Sequence, residues 1–365
     1  MESKIRHGGD IYNNRVELDL SVNCNPLGLP EAVRLAAVQA VADCGHYPDS
    51  ACGELRQALA ASEGLDPRWY IFGNGAASIL YQSLQSLRPK TVLLPAPGFV
   101  EYERAAAAVG AKCRYYRSME KDLDGVEIDR PWEVFPSIEE ALQPDIDLLI
   151  LCRPNNPSGD IIGRDRLQKI VKRANDSDTT VLVDECFMDL TDVSISAQES
   201  LPPVLRQGGL REANLILLKA FTKTYAMPGL RLGYAIVQKE ELRERILTTQ
   251  PSWEVSIPAQ AAGVAALQET DYLTEGRWLI KTQRKVLTEG MKGLGMAVYP
   301  SQANYLLFYD RRIGDLYRKL LRQGILIRDC SDYQGLGAGW YRICVAKEQE
   351  NQSLLQALSR LMEEV

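Results

Sequence analysis

Residues 214–237 read NLILLKAFTKTYAMPGLRLGYAIV. The runs 214–219 and 232–237 are short, apolar and rich in Leu, Ile and Val, the pattern of strands covered on both faces. Lys223 lies just beyond the end of the first run, at the edge where open α/β sheets bind ligands. A lysine in a confined site can shed its proton and act as an amine nucleophile towards a carbonyl. The Pro228-Gly229 turn can fold Arg231 back towards Lys223, and Thr222 adds a hydroxyl beside it. An amine, a hydroxyl and a guanidinium gathered in this way suit a phosphorylated aldehyde. Taken alone, a lysine and an arginine in a surface loop are the commoner explanation.

Outward from this segment, the runs 91–94, 147–152 and 180–183 have the same strand-like character. Helix-period stretches at 53–62, 76–87 and 164–174 alternate with them, and Ser137 with Glu140 reads as a capping box. Strand–helix alternation predicts an α/β fold, a mostly parallel sheet with helices on both faces. From residue 271 the rhythm changes to a long charged helix over 271–293 and strands near 296–300, 304–309, 325–328 and 341–345. Helices around 313–323 and from 348 complete a smaller α+β unit. At roughly 150 residues per domain, 365 residues suggest two domains. The expected boundaries are 28–270 for a large α/β domain, and 1–27 with 271–365 for a small α+β domain with an N-terminal arm.

Four further turns follow strand-like runs. Asp184 ends the run VLVD, where a buried carboxylate is costly unless it meets a positive partner, such as a protonated heterocyclic nitrogen. A structural salt bridge or a helix cap explains it as well. Residues 152–159, CRPNNPSG, force an irregular loop that presents the amide of Asn156, although these residue types dominate turns without any function. Residues 72–78, FGNGAAS, open a helix whose first N–H groups, at Gly75, Ala76 and Ala77, suit a phosphate. They carry neither the dinucleotide nor the P-loop spacing. Residues 97–102, PGFVEY, place Phe99 where it can lie over a flat ring, or simply in the core. Each signal is modest; their conjunction along one sheet edge supplies what pyridoxal phosphate needs.

Composition removes the competing chemistries. Hydrophobic residues at 45% and charged residues at 25% are ordinary for a globular chain. The apolar runs are far shorter than the roughly 20 residues of a membrane span, and no secretory signal is visible in residues 1–10. A net charge of −6 without a basic cluster argues against nucleic acid as a partner. None of the eight cysteines is spaced C-x-x-C, and there are only two histidines. Neither a zinc site nor a Cys/His nucleophile is expected, and with a cytoplasmic location the thiols would stay reduced as small buried hydrophobes.

Over nearly its whole length, and on these motifs, the chain resembles the fold-type I pyridoxal-phosphate enzymes, aminotransferase class I/II. Within them it is similar to the threonine-phosphate decarboxylase and histidinol-phosphate aminotransferase branches. His7-Gly8-Gly9, residues 21–28 (SVNCNPLG), Trp253, residues 303–306 (ANYL) and residues 331–336 (SDYQGL) favour the first. The resemblance implies the aspartate aminotransferase-like fold and Lys223 as the Schiff-base lysine. It also implies Asp184 on the pyridine nitrogen, Asn156 on the ring's phenolic oxygen and Phe99 stacked on the ring. Gly75, Ala76, Ala77, Thr222 and Arg231 would hold the cofactor phosphate. Tyr47 would reach it from a second subunit, hence a homodimer. His7, Gly8, Gly9, Asn25, Asn156, Arg328 and Arg342 would bind substrate, the arginines because a guanidinium fork matches carboxylate and phosphate. Phe187 stands beside the ring oxygen where the aminotransferase branch usually carries a tyrosine. Ala220 and the pair Ala76-Ala77 depart from the family's usual residues, so fewer side chains are available to the phosphate, and Cys186 replaces the alanine usually packed beneath the ring. The implied reaction is decarboxylation of L-threonine O-3-phosphate to (R)-1-amino-2-propanol phosphate, in cobalamin biosynthesis. A histidinol-phosphate or related aminotransferase is the alternative, and a non-catalytic binding protein of the same fold is the alternative of another class. Such a binding protein would be expected to lose the lysine or its carboxylate partner, and here both are in place.

Overall fold

The computed structural model describes residues 8–121, 123 and 131–364. Its largest sheet has seven strands, in spatial order Tyr70–Asn74, Leu232–Ile236, Leu215–Ala220, Thr180–Asp184, Leu148–Cys152, Thr91–Ala96 and Lys112–Arg117. Five consecutive neighbours run parallel, from Leu215–Ala220 to Lys112–Arg117. Leu232–Ile236 is antiparallel to both of its neighbours, so Tyr70–Asn74 again points the same way as the parallel set.

Alternate residues of these strands enter two separate cores. Leu149, Leu151, Val181, Val183, Leu215 and Leu217 pack on one face; Leu148, Ile150, Leu182, Ile216 and Leu218 pack on the other. Both faces are covered, which is why the runs are continuously apolar rather than alternating. Helix Ala76–Leu87 covers the second face with Ile79, Leu80 and Leu84. Helix Arg164–Asn175 covers the first with Leu167, Ile170, Val171 and Ala174.

The capping box at Ser137 is present, with both reciprocal hydrogen bonds. Two strands of the seven-stranded sheet lie outside those expected from the sequence, Tyr70–Asn74 and Lys112–Arg117, both at its edges, and so does the short Leu18–Asp19 elsewhere.

A second, antiparallel sheet has the order Arg328–Asp329, Trp340–Cys344, Tyr305–Tyr309, Ala297–Val298. Helices Thr270–Gly293 and Glu348–Glu363 pack over it through Leu287, Met291, Leu354 and Leu358. The strand Leu18–Asp19 pairs in parallel with Ile325–Leu326, tying the N-terminal segment to this part of the molecule. No helix among the described residues is long and apolar enough to cross a membrane.

Candidate active site

The strand ends meet at one cavity of about 560 Å³ between the two larger sheets. The alternation of strand Leu215–Ala220 decides which lysine serves it. Leu218 and Ala220 face the cavity. Lys219 points the other way, where its Nζ meets Asp189 at 3.0 Å and Glu63 at 3.8 Å. Burial works against the Lys219 ammonium, yet Asp189, Glu63 and Glu185 outweigh it and raise the pKa. Lys223 follows in the one-turn helix Phe221–Thr224 and lines the cavity. Among the described residues no carboxylate pairs with its Nζ. Its carbonyl accepts from the backbone N–H of Asn25 at 3.0 Å. The Asn25 side chain donates to Thr224 O at 3.2 Å, so Asn25, expected to touch substrate, instead braces the lysine turn and does not line the cavity.

Asp184 is the last residue of its strand and is 8% exposed. Its Oδ1 accepts from the Cys186 N–H at 2.9 Å and its Oδ2 from the Tyr102 hydroxyl at 2.7 Å. Burial pushes its carboxyl pKa up against those hydrogen bonds. No lysine or arginine among the described residues neutralises it, so a structural salt bridge does not explain it. Phe99 stands at the N-terminus of helix Val100–Ala108 and lines the same cavity, edge-on to Tyr102 with ring centroids 5.6 Å apart. Tyr102, three residues on and one helical turn away, was missed in the sequence although its spacing from Phe99 carries the signal. Cys186 and Phe187 complete this wall, and Phe187 packs edge-on to Tyr305 at 5.1 Å.

Opposite the carboxylate, Ala76 and Ala77 begin helix Ala76–Leu87, whose first N–H groups have no partner within the helix. Gly75 caps it at φ +76°, and a Cβ there would run into the Arg231 guanidinium. Arg231 itself sits in the left-handed region at φ 58° and donates to Pro228 O at 3.1 Å. Thr222 and Arg231 both line the cavity. Ala220 lines it without offering a hydroxyl, which leaves the anion pocket to Thr222, Arg231 and the helix N-terminus. A flat ring on Phe99, a ring cation on Asp184, a phosphate at the helix start and an aldehyde on Lys223 all match the residues present. The chain therefore fits pyridoxal phosphate.

The second sheet contributes Arg328 and Arg342, a cross-strand pair whose side chains both reach the cavity. Arg342 donates to Asn156 Oδ1 at 2.5 Å and to Ser21 O at 2.7 Å. Arg328 donates from Nη2 to both oxygens of Asp332, at 2.8 and 2.9 Å. Gly8 and Gly9 also line the cavity, and the Gly9 N–H donates to Ser21 Oγ at 2.7 Å, itself held by Asp19 at 2.6 Å. His7 lies outside the described residues.

Tyr47 is not brought to this cavity. It is 76% exposed and stacks on Trp253 with centroids 4.3 Å apart. Of the eight free cysteines, Cys52, Cys152, Cys186, Cys330 and Cys344 are buried, and burial raises the pKa of each thiol.

The profile of the aminotransferase class I and II family matches residues 15–358. The chain is 34% identical to a threonine-phosphate decarboxylase of Salmonella typhimurium over 98% of its own length and 96% of the relative's. It is 30% identical to a histidinol-phosphate aminotransferase of Symbiobacterium thermophilum, covering 94% and 90%. The solved histidinol-phosphate aminotransferase from Clostridium acetobutylicum superimposes with a TM-score of 0.82 at 28% identity, covering 95% of this chain and 100% of that one.

Proposed function

The chain belongs to the aminotransferase class I and II family of enzymes, and from that premise we propose that it decarboxylates L-threonine O-3-phosphate with pyridoxal 5'-phosphate. One observation carries the reading: a single cavity holds Lys223 without a carboxylate partner among the described residues, Asp184 without a cationic one among them, and two arginines on the facing wall. The first of the relatives reported above bears the name of this activity.

Lys223 would hold the cofactor through its aldehyde. Asp184 would keep the ring nitrogen protonated, Phe99 would cover the ring, and Asn156 would donate to the phenolic oxygen with Phe187 beside it. Thr222, Arg231 and the Ala76 and Ala77 N–H groups, with Gly75 leaving room, would take the cofactor phosphate. The partner subunit's Tyr47 would add to them in a homodimer. Pyridoxal phosphate supplies the electron sink that takes up the bonding pair leaving Cα.

Arg342, fixed from two sides by Asn156 and Ser21, would take the substrate's α-carboxylate, and Arg328 its phosphate. Gly8 and Gly9, the latter held by Ser21 Oγ, would contact the substrate. The outcome would be set by how these residues orient the substrate. Arg342 and Arg328 would position the carboxylate for loss as CO₂, with a proton returned at Cα to give (R)-1-amino-2-propanol phosphate. If they presented the Cα–H bond instead, Lys223 would take that proton and pass it on, as transamination requires. On the same reading, residues 28–270 form one domain, and residues 1–27 with 271–365 form the other.

Incubation of holoenzyme with L-threonine O-3-phosphate and no keto acid tests the proposal. CO₂ release with formation of aminopropanol phosphate is expected. Turnover confined to histidinol phosphate plus 2-oxoglutarate would replace it with the aminotransferase reading. Lys223→Ala should also abolish the visible absorbance of lysine-bound cofactor and its borohydride-trapped adduct.

A further inference from the structure

Arg328 and Arg342 stand opposite each other in antiparallel strands. Like charges directly opposite in a sheet are destabilising, and the fold answers each with acceptors of a different kind. Arg342 meets neutral oxygens, Asn156 Oδ1 at 2.5 Å and Ser21 O at 2.7 Å. Arg328 meets a full carboxylate: its Nη2 donates to Asp332 Oδ1 at 2.8 Å and Oδ2 at 2.9 Å, and Nη1 faces Asp329 O. The Tyr333 ring lies 5.1 Å from the guanidinium. Burial disfavours the Arg328 charge, but Tyr333, Cys330 and Asp332 together keep its pKa above the usual range. The two partners differ in freedom. The Arg328 side chain is 4% exposed and that of Asp332 is 22% exposed. Arg328 has nowhere else to go, whereas Asp332 can turn into water and recover its hydration there.

We propose that Asp332 is an internal counter-ion occupying the anion position of Arg328 until substrate arrives, and that it thereby selects a phosphate dianion. The proposal rests on the reading above in which Arg328 takes the substrate's phosphate. A carboxylate tethered four residues from its arginine has an effective concentration on the order of millimolar or more. An incoming monoanion offers Arg328 what it already has, and loses to the tether. A phosphate brings close to two charges and three strong acceptor oxygens, enough to displace Asp332. A neutral side chain leaves the pair undisturbed and gains nothing from Arg328. Asp332 therefore sets a threshold: the ligand's anion has to be stronger than a tethered carboxylate.

Holoenzyme carrying Asp332→Asn tests this, because the amide keeps an acceptor for Arg328 and removes only the charge. KM for L-threonine O-3-phosphate should fall about three- to tenfold, the equivalent of one ordinary net hydrogen bond, while kcat changes less. Inorganic phosphate should inhibit at correspondingly lower concentration. L-Aspartate, which offers a carboxylate and no phosphate, should become a competitive inhibitor of the variant but not of the parent. A KM that rises or stays constant, with no new inhibition by L-aspartate, overturns the proposal and makes Asp332 an orienting residue for Arg328. Arg328→Gln separates that failure from failure of the underlying reading: if this variant keeps the parent's KM for threonine phosphate, Arg328 is not the phosphate ligand and both statements fall. Visible cofactor absorbance and a thermal melt confirm folding of each variant, with Asp332→Ser as the second choice should the amide misfold.

Discussion

Asp184 is a group that the empty fold tolerates at a cost. Its carboxyl is buried without a cation among the described residues, and its folded pKa is raised above its unfolded value. Below the unfolded value, near 3.9, the acid is neutral in both states and no penalty applies. As pH climbs through the folded value, the cofactor-free protein loses that stability. Asp184→Asn should therefore raise the melting temperature of cofactor-free protein at pH 7, with the gain vanishing towards pH 4, while weakening cofactor binding. Paired thermal melts and cofactor titrations at both pH values check the opposite signs. Tyr102→Phe should act differently. It leaves Asp184 Oδ2 short of a buried donor, and unfolding in urea should show a loss of about 1–3 kcal/mol. Phe99, Asn156, Asp184 and Lys223 were readable in the sequence because each directly follows an apolar run. The contact of Tyr102 with Asp184 spans 82 residues, and the bond from the Asn25 side chain to Thr224 spans 199. Local spacing puts Tyr102 one helical turn from Phe99, but no local pattern names Asp184 as its partner or Thr224 as that of Asn25.

At the scale of elements, the anion pocket depends on how closely the helix Ala76–Leu87 approaches its neighbours. A Cβ at Gly233 would meet the Ala76 backbone nitrogen, and one at Gly75 would meet Arg231. Gly75→Ala must also hold a positive φ, which costs about 1–3 kcal/mol. It should raise the Kd for pyridoxal phosphate at least about tenfold by displacing the guanidinium, measurable by fluorescence titration, while pyridoxal without phosphate loses far less. The central strands could be located from composition because both faces are buried. The edge strand Lys112–Arg117 could not: of its residues KCRYYR, Lys112 and Arg114 are exposed and only Tyr116 is buried. Strand direction was hidden too. Leu232–Ile236 runs against its neighbour because residues 221–231 contain only one-turn helices, too little chain for the crossover that parallel pairing needs.

At the scale of the whole molecule, the exposed Tyr47–Trp253 stack, with the exposed Leu35 and Val38 on the helix Glu31–Ala40 and Val41 at its end, leaves apolar surface in water. A homodimer that buries this surface and lends Tyr47 to the neighbouring site gives a definite expectation. Tyr47→Ala and Lys223→Ala should each be weakly active or inactive alone, and a mixture allowed to exchange subunits should recover activity, because the mixed dimer contains one complete site. Sedimentation analysis shows whether dimers are present, and unchanged activity on mixing would place Tyr47 outside the site. The pairing of Leu18 with Ile325, together with the bond from the Cys344 N–H to Leu20 O, has a further consequence. The paired positions are 325 − 18 = 307 residues apart. On a ribosome adding about 5–20 residues per second, the segment bearing Ser21 waits about 15–60 s for its mate to emerge. The strands that present Lys223 and Asp184 are synthesised well before that moment. The pocket's cofactor wall can thus be built while its substrate wall is still being translated, and a nascent chain stalled before residue 325 would be able to capture cofactor without being able to turn over substrate.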